Sequence, residues 1–285
     1  MAEPNEADQW FRMKQMGRKK PSPPARFQQK LFAFVDILGF GDLVGITQND
    51  PIQLNRLKET LELVTDYARK PSRLKGVTSW WSMAFSDSIV ISEENSLRGL
   101  LNVLENLALL SWRMLSLGKL VRGAITLGPI YHRHSVVFGP ALIEAYFLER
   151  EAAVYPRIII ADKLLNAMDS MGDGFKAEVS EADPDLRATC RLLLRRDKDG
   201  FYFVDTLNAG IQGIRILFKP NVGVSINADH DGGRANLIKA RAWIEKDLSG
   251  KAKSNRESDL KVAQKLSWFR DYIDTVLAED SGASA

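Results

Sequence analysis

The sequence predicts an α+β domain, a mixed sheet with helices on one face, followed by a helical C-terminal attachment. Three observations carry this. Short apolar runs rich in Phe, Val and Ile punctuate the first 160 or so residues, the pattern of strands buried in a sheet. Segments with apolar residues at helical spacing alternate with paired strands. Two long segments with helical spacing close the chain.

Residues 1–28 read as an extension, with a possible short amphipathic helix over 10–16. GRKKPSPPARF combines a basic run with prolines, which remove backbone donors and block regular structure. LFAFVDI is the first buried strand and runs into the loop LGFGD, where Gly39 and Gly41 permit backbone angles closed to other residues. A helix follows with Pro51 in its first turn and Leu54, Leu57, Leu61 and Val64 along one stripe. VTSWWSMAF and SIVIS form a hairpin around Ser86-Asp87. Residues 95–117 form a Leu-rich helix ending at Gly118. VRGAITLG is a strand, YHRHSVVFG a connection or short strand, PALIEAYFLEREAA a helix and YPRIIIA a further strand. This order suggests a sandwich of ferredoxin-like type. Residues 187–206 suggest a helix and a hairpin turning at Asp199-Gly200, and 232–248 and 256–279 two helices. The last carries Leu266, Phe269, Ile273 and Leu277 on one face. The expected division is 1–28 extension, 29–206 main domain and 207–285 attachment.

Composition narrows the class. The chain of 285 residues is 45% hydrophobic and can bury a normal core. No apolar run approaches the ~20 residues that span a bilayer, and the N-terminus has no apolar core of a signal peptide. One cysteine, Cys190, excludes a disulfide framework and a cysteine-based metal site. A net charge of +3 permits an anionic ligand without suggesting a nucleic-acid-coating surface. A cytoplasmic protein with no membrane and no nucleic-acid partner is the expectation.

The chemistry should centre on two acids. Asp36 ends the first strand beside a Gly-rich loop, and Asp87 sits in the following hairpin turn. Neighbouring strands would bring both to one sheet edge, where two carboxylates repel unless protonated or bridged by cations. Mg²⁺ or Mn²⁺ suits such oxygen ligands, and the loop can turn N–H groups toward a phosphate. An Asp in either position is equally ordinary turn or cap chemistry, so spacing alone leaves both readings open.

FAFVDILGFGDLV, FSDSIVI, RGAITLGPI and GPALIEAYFLE, in that order over residues 30–162, resemble the ordered motifs of class III nucleotide cyclases. The resemblance implies two divalent metal ions, Mn²⁺ or Mg²⁺, held by Asp36, Asp87 and the backbone carbonyl of Ile37. It implies a triphosphate bound by the N–H groups of Phe40 and Gly41, and a homodimer. It departs at the catalytic helix, where the family's transition-state Asn and Arg fall at Ile143 and Phe147. The purine-reading positions are Met83 and Val136, which cannot hydrogen-bond a purine edge.

VDILGF, FSDSIV, VVFGPALIEAYFLE, AVYPRIII and SWFRDYI resemble the Pycsar pyrimidine cyclases of bacterial antiphage defence. Those make cyclic UMP or cyclic CMP, which a separate effector protein senses. UTP is then the expected substrate and CTP the next. Trp81, Met83, Phe85, Arg122 and Tyr146 are the expected base pocket. A non-catalytic nucleotide- or partner-binding module and a purine cyclase are the rival readings. Tyr131, His132 and His134 either line the site or form a solvated turn, the turn being favoured, and Glu149 with Arg150 and Arg157 suggests an ion-pair group. Candidates to replace the missing arginine are Arg122, Arg133, Arg150 and Arg157.

Overall fold

The computed structural model describes residues 25–69, 81–133, 135–170, 175, 184–213 and 230–282. Strand β1 (Gln28–Ile37) is followed by helices α1 (Phe40–Thr47) and α2 (Pro51–Arg69), the hairpin β2 (Trp81–Phe85) and β3 (Ser88–Glu94), and helix α3 (Leu97–Ser116). Then come β4 (Val121–Arg133), β5 (Val136–Phe138), α4 (Pro140–Phe147), a π-helical turn (Leu148–Ala152), β6 (Ile158–Ile160) and α5 (Asp162–Asp169). Helix α6 (Pro184–Leu192), hairpin strands β7 (Leu194–Arg196) and β8 (Tyr202–Val204), the short α7 (Thr206–Asn208) and a second π-turn (Ala209–Gly213) precede α8 (His230–Lys251) and α9 (Glu257–Gly282).

The described strands form a mixed sheet in the order β2-β3-β1-β4-β6-β8-β7, with β5 on β4. The first four strands and their crossover helices α2 and α3 give the ferredoxin-like βαββαβ order, all antiparallel; β6 then joins β4 in parallel. The α+β expectation and the C-terminal helices are as read from the sequence. Leu31, Ala33, Val35 and Ile37 alternate onto the side covered by α3, where Leu100, Leu104 and Leu107 meet them.

The expectation of helices on one face is corrected. Phe32 and Phe34 point the other way, under Ala141 and Ala145 of α4. Ala124, Ile159 and Phe203 on that same side meet Leu266, Phe269 and Ile273 of α9, so the attachment shares the sheet's second core. The α9 stripe is as read; of the α2 stripe, Leu57 is buried and Leu61 packs against the first core, whereas Leu54 is 53% exposed. The side chain of Val64, and residues 1–24, 77–80 and 134, lie outside the described residues.

Side-chain caps open two of the helices. Ser96 accepts the Gly99 N–H at the start of α3, and Asp50 accepts those of Ile52 and Gln53 at the start of α2. Gly39 adopts φ 73, but Gly41 lies in ordinary helix, so only the first of the two glycines is required by its backbone angle. Gly123 is required by close approach: a Cβ there would sit 2.4 Å from the Phe34 carbonyl oxygen.

Candidate functional site

Register brings the two acids together. Asp36 pairs with Ser88 on β3 and with Arg122 on β4, so it ends the central strand with a neighbour on each side. Asp87 lies in the β2–β3 turn, next to Ser86 at φ 56, and its carbonyl accepts the Ile37 N–H at 3.1 Å. That bond ties the hairpin turn to the end of β1. The Asp87 charge acts directly on the Asp36 carboxyl.

The electrostatics follow. Burial is the largest cause that pushes the Asp36 carboxyl up to about 6, followed by the charges of Asp87 and Glu149; Arg122, with its Nε 3.8 Å from Asp36 Oδ2, pulls the other way. Glu149, carried on the π-turn and 3% exposed, makes an ion pair with Arg122. Burial raises its own pKa against the pull of Arg122, Lys265 and Arg150. A π-turn of this kind re-aims side chains within a helix. Here it turns a glutamate inward beneath the acid pair.

A stability experiment tests the geometry. Asp36 titrates near 3.8 when unfolded and about 6 when folded. The folded protein therefore binds this proton more tightly, and the stability it contributes is lost as pH rises from about 4 to about 6. About two pH units correspond to an order of 2–3 kcal/mol. With chelator present, denaturant titration should show Asp36→Asn more stable than wild type at pH 7 and close to it near pH 4. Equal differences at both pH values would contradict the placement.

The expected phosphate-binding pair opens α1. Phe40 and Gly41 are its first two residues, with Gly39 as a cap that offers no side-chain bond. The first N–H groups of a helix have no partner within it and favour an anion. Helix α1 begins four residues after Asp36, and Leu38 N–H donates to the Leu120 carbonyl in between, fixing the path of the loop. Among the described residues no group of three or more His, Cys, Asp or Glu side chains is arranged to hold a metal ion.

The expected base-pocket residues share the sheet face that carries Asp36. Trp81, Met83 and Phe85 pair with Ser92, Val90 and Ser88, which pair in turn with Phe32, Phe34 and Asp36. Tyr146 stands edge-on to Phe34, with centroids 5.8 Å apart. Arg122 stands on the same face, but its partners are Glu149 and Asp36. Met83 packs into the cluster of Phe32, Phe34 and Val90, whereas Phe85 is 45% exposed.

Three expectations are corrected. Tyr131 and His132 belong to the long strand β4, not to a solvated turn; His132 is buried, with Nδ1 2.9 Å from Ser92 Oγ and its ring near Trp81. Burial, then the charge of Lys30, pushes the imidazole down to about 4. Glu149 and Arg157 do not form one ion-pair group, because Arg157 pairs with Asp197 and Asp199 instead. Arg157 is thereby removed as a candidate for the missing arginine.

Sequence reasoning did not place two residues. Glu149 ends the GPALIEAYFLE segment, but only the π-turn aims it at Arg122. Lys265 of α9 interacts with Arg122, Glu149 and Asp36 although more than a hundred positions separate it from the nearest of them. No spacing signal announces such a contact.

No protein-family model matches the chain, and no curated protein matches it. Among solved structures it is similar to a class III adenylyl cyclase-like ATP-binding protein from Pseudomonas aeruginosa, at 14% identity and a TM-score of 0.37. That alignment covers 49% of this chain and 34% of the other, so the chain spans about a third of that protein's length.

Proposed function

We propose that the protein is a nucleotidyl cyclase that converts a pyrimidine nucleoside triphosphate, UTP ahead of CTP, into its 3′,5′-cyclic monophosphate. The observation that carries this is the backbone hydrogen bond that ties the Asp87 turn to Ile37, and so sets it beside Asp36 at the end of the central strand, next to the first turn of α1. Two carboxylates forced together, one of them held near pKa 6, form a site that a divalent cation relieves. Two side chains leave most of the coordination shell to water and substrate phosphates, which suits Mg²⁺ or Mn²⁺. Asp36, Asp87 and the Ile37 carbonyl would hold the ions. When bound, such ions supply Lewis acidity and neutralise phosphate charge.

The chain's own residues do the rest. The N–H groups of Phe40 and Gly41 bind the triphosphate, and the face bearing Trp81, Met83, Phe85 and Tyr146 receives the base. The ribose 3′-oxygen attacks the α-phosphorus and loses its proton to solvent. The bond from that phosphorus to the bridging oxygen breaks, and pyrophosphate leaves. A soluble product sensed by a separate effector in antiphage defence rests on the motif resemblance. Among the described residues no helix is long and apolar enough to cross a membrane.

A homodimer is part of this reading. Helix α4 buries Ala141 and Ala145 yet also presents Ile143, Tyr146 and Phe147, each 41–58% exposed, and Phe138 beside them is 46% exposed. A helix apolar on both sides calls for cover on both sides. An isologous pairing would cover it and give two equivalent sites. Light scattering should report a dimer for wild type and a monomer for Phe147→Glu. An active wild-type monomer at assay concentration would refute the pairing.

The rival reading, a non-catalytic nucleotide-binding module, is favoured by the exposed apolar Ile143 and Phe147 where an enzyme of the resembled family carries polar groups. Incubation with each of the four nucleoside triphosphates and Mn²⁺, followed by mass spectrometry, separates the two. Nucleotide binding without any cyclic product would establish the rival.

A further inference from the structure

Two acids compete for one guanidinium at this centre. Asp36 and Arg122 are register partners across β1 and β4, so their side chains leave the same face of the sheet side by side. Opposite charges so placed would ordinarily close into a salt bridge. A carboxylate closed onto an arginine has fewer lone pairs left for a metal ion. Arg122 Nε nevertheless stands 3.8 Å from Asp36 Oδ2, beyond hydrogen-bond length. It makes its close contact with Glu149 instead.

The π-turn Leu148–Ala152 supplies that competitor. Ala153 N–H donates to the Leu148 carbonyl at 2.9 Å and closes the turn, which carries Glu149 to the start of β4. The Glu149 side chain is 4% exposed, against 19% for Asp36, so its attraction for Arg122 is the less screened of the two. A buried carboxylate that loses its counter-charge is left uncompensated, which holds the pair together. The contact is ionic, because Arg122 Nε and Glu149 Oε1 form no directed hydrogen bond. Charge and packing, not bond geometry, therefore decide which acid keeps the guanidinium.

We infer that Glu149 is a positioning residue: it holds the Arg122 guanidinium off Asp36, so that both Asp36 oxygens stay available to a divalent cation. This rests on the metal site of the cyclase reading above. It gives Arg122 the role of counter-charge to Glu149 and not of a base-reading group. The pair is neutral as a unit, so an arginine sits beside a cation site without adding net positive charge to it.

The test measures Mn²⁺ binding to the full chain without nucleotide, by electron paramagnetic resonance, with circular dichroism to establish folding. Glu149→Gln should weaken Mn²⁺ about tenfold or more, the size typical for loss of a group that supports a metal ligand. Glu149→Asp keeps the charge but shortens the arm, and should weaken Mn²⁺ as well. Unchanged affinity in Glu149→Asp would show that the charge acts at a distance, and would overturn the assignment. Adding Arg122→Met to Glu149→Gln removes the guanidinium that captures Asp36, and should bring affinity back to within about threefold of wild type. A merely structural glutamate predicts no such recovery, so its absence in a folded double variant would overturn the assignment too. Unchanged Mn²⁺ affinity in Glu149→Gln would do the same. Failure of the cyclase reading looks different: the variants bind Mn²⁺ in the order given, yet wild type yields no cyclic product from any triphosphate.

Discussion

Asp36→Ala and Asp87→Ala should each cut cyclic nucleotide formation by at least about 10³-fold, the equivalent of the several kcal/mol that bound metal contributes to phosphoryl transfer. Both variants should remain folded. Asp36 stands at the end of a strand and Asp87 in a turn, and neither side chain is part of an apolar cluster. Removal of either carboxylate also relieves the repulsion that raises the Asp36 pKa, so metal-free stability should hold or rise near neutral pH. Loss of activity together with retained or increased stability distinguishes a functional site from a structural one. The check is product analysis at defined Mn²⁺ alongside thermal melts in chelator. Full activity in either variant would refute the two-carboxylate site. A large fall in melting temperature would instead return both residues to ordinary turn chemistry.

What the sequence disclosed and what it withheld divide along range of interaction. The continuous apolar run of β1, the start of α3 near residue 96 and the Asp199-Gly200 turn are local, and the structure has all three where the residues suggest. The meeting of Asp36 with Asp87 was legible because a hairpin beside a central strand brings its turn to that strand's end. The packing of α9 was not, because its stripe fits any apolar surface and names none in particular. The π-turn was hidden as well: LEREA has the composition of ordinary helix, and its Leu148 and Ala152 pack on the second core as an α-helical pair would. His132 misled for a related reason. A polar run with two histidines looks solvated, but β4 continues through it to Arg133 and buries the first imidazole against Ser92.

In a competition assay with equal ATP, GTP, CTP and UTP, cyclic pyrimidine nucleotides should dominate, with cyclic UMP the main product. Met83 stands where a purine cyclase places a polar reader, and it is occupied with Val90 and Phe34 in an apolar cluster. Val136 is half-exposed on the short strand β5 and has no group to offer a base edge. A purine would bury its edge polar groups without partners, at about 1–3 kcal/mol each, so two lost bonds give a discrimination of about 10²-fold or more. The rings on this face add steric exclusion: Trp81 and Phe85 share a strand with Met83, and Tyr146 stands on Phe34. Size and apolarity thus both disfavour the two-ring bases. Uracil and cytosine differ at one hydrogen-bonding group, so preference between them should be smaller, within about tenfold. Phe85→Ala, which opens the exposed end of this face, should raise the purine share of the product. Predominant cyclic AMP or cyclic GMP from the wild-type protein would refute the pocket, whereas predominant cyclic CMP would refute only the preference for uracil.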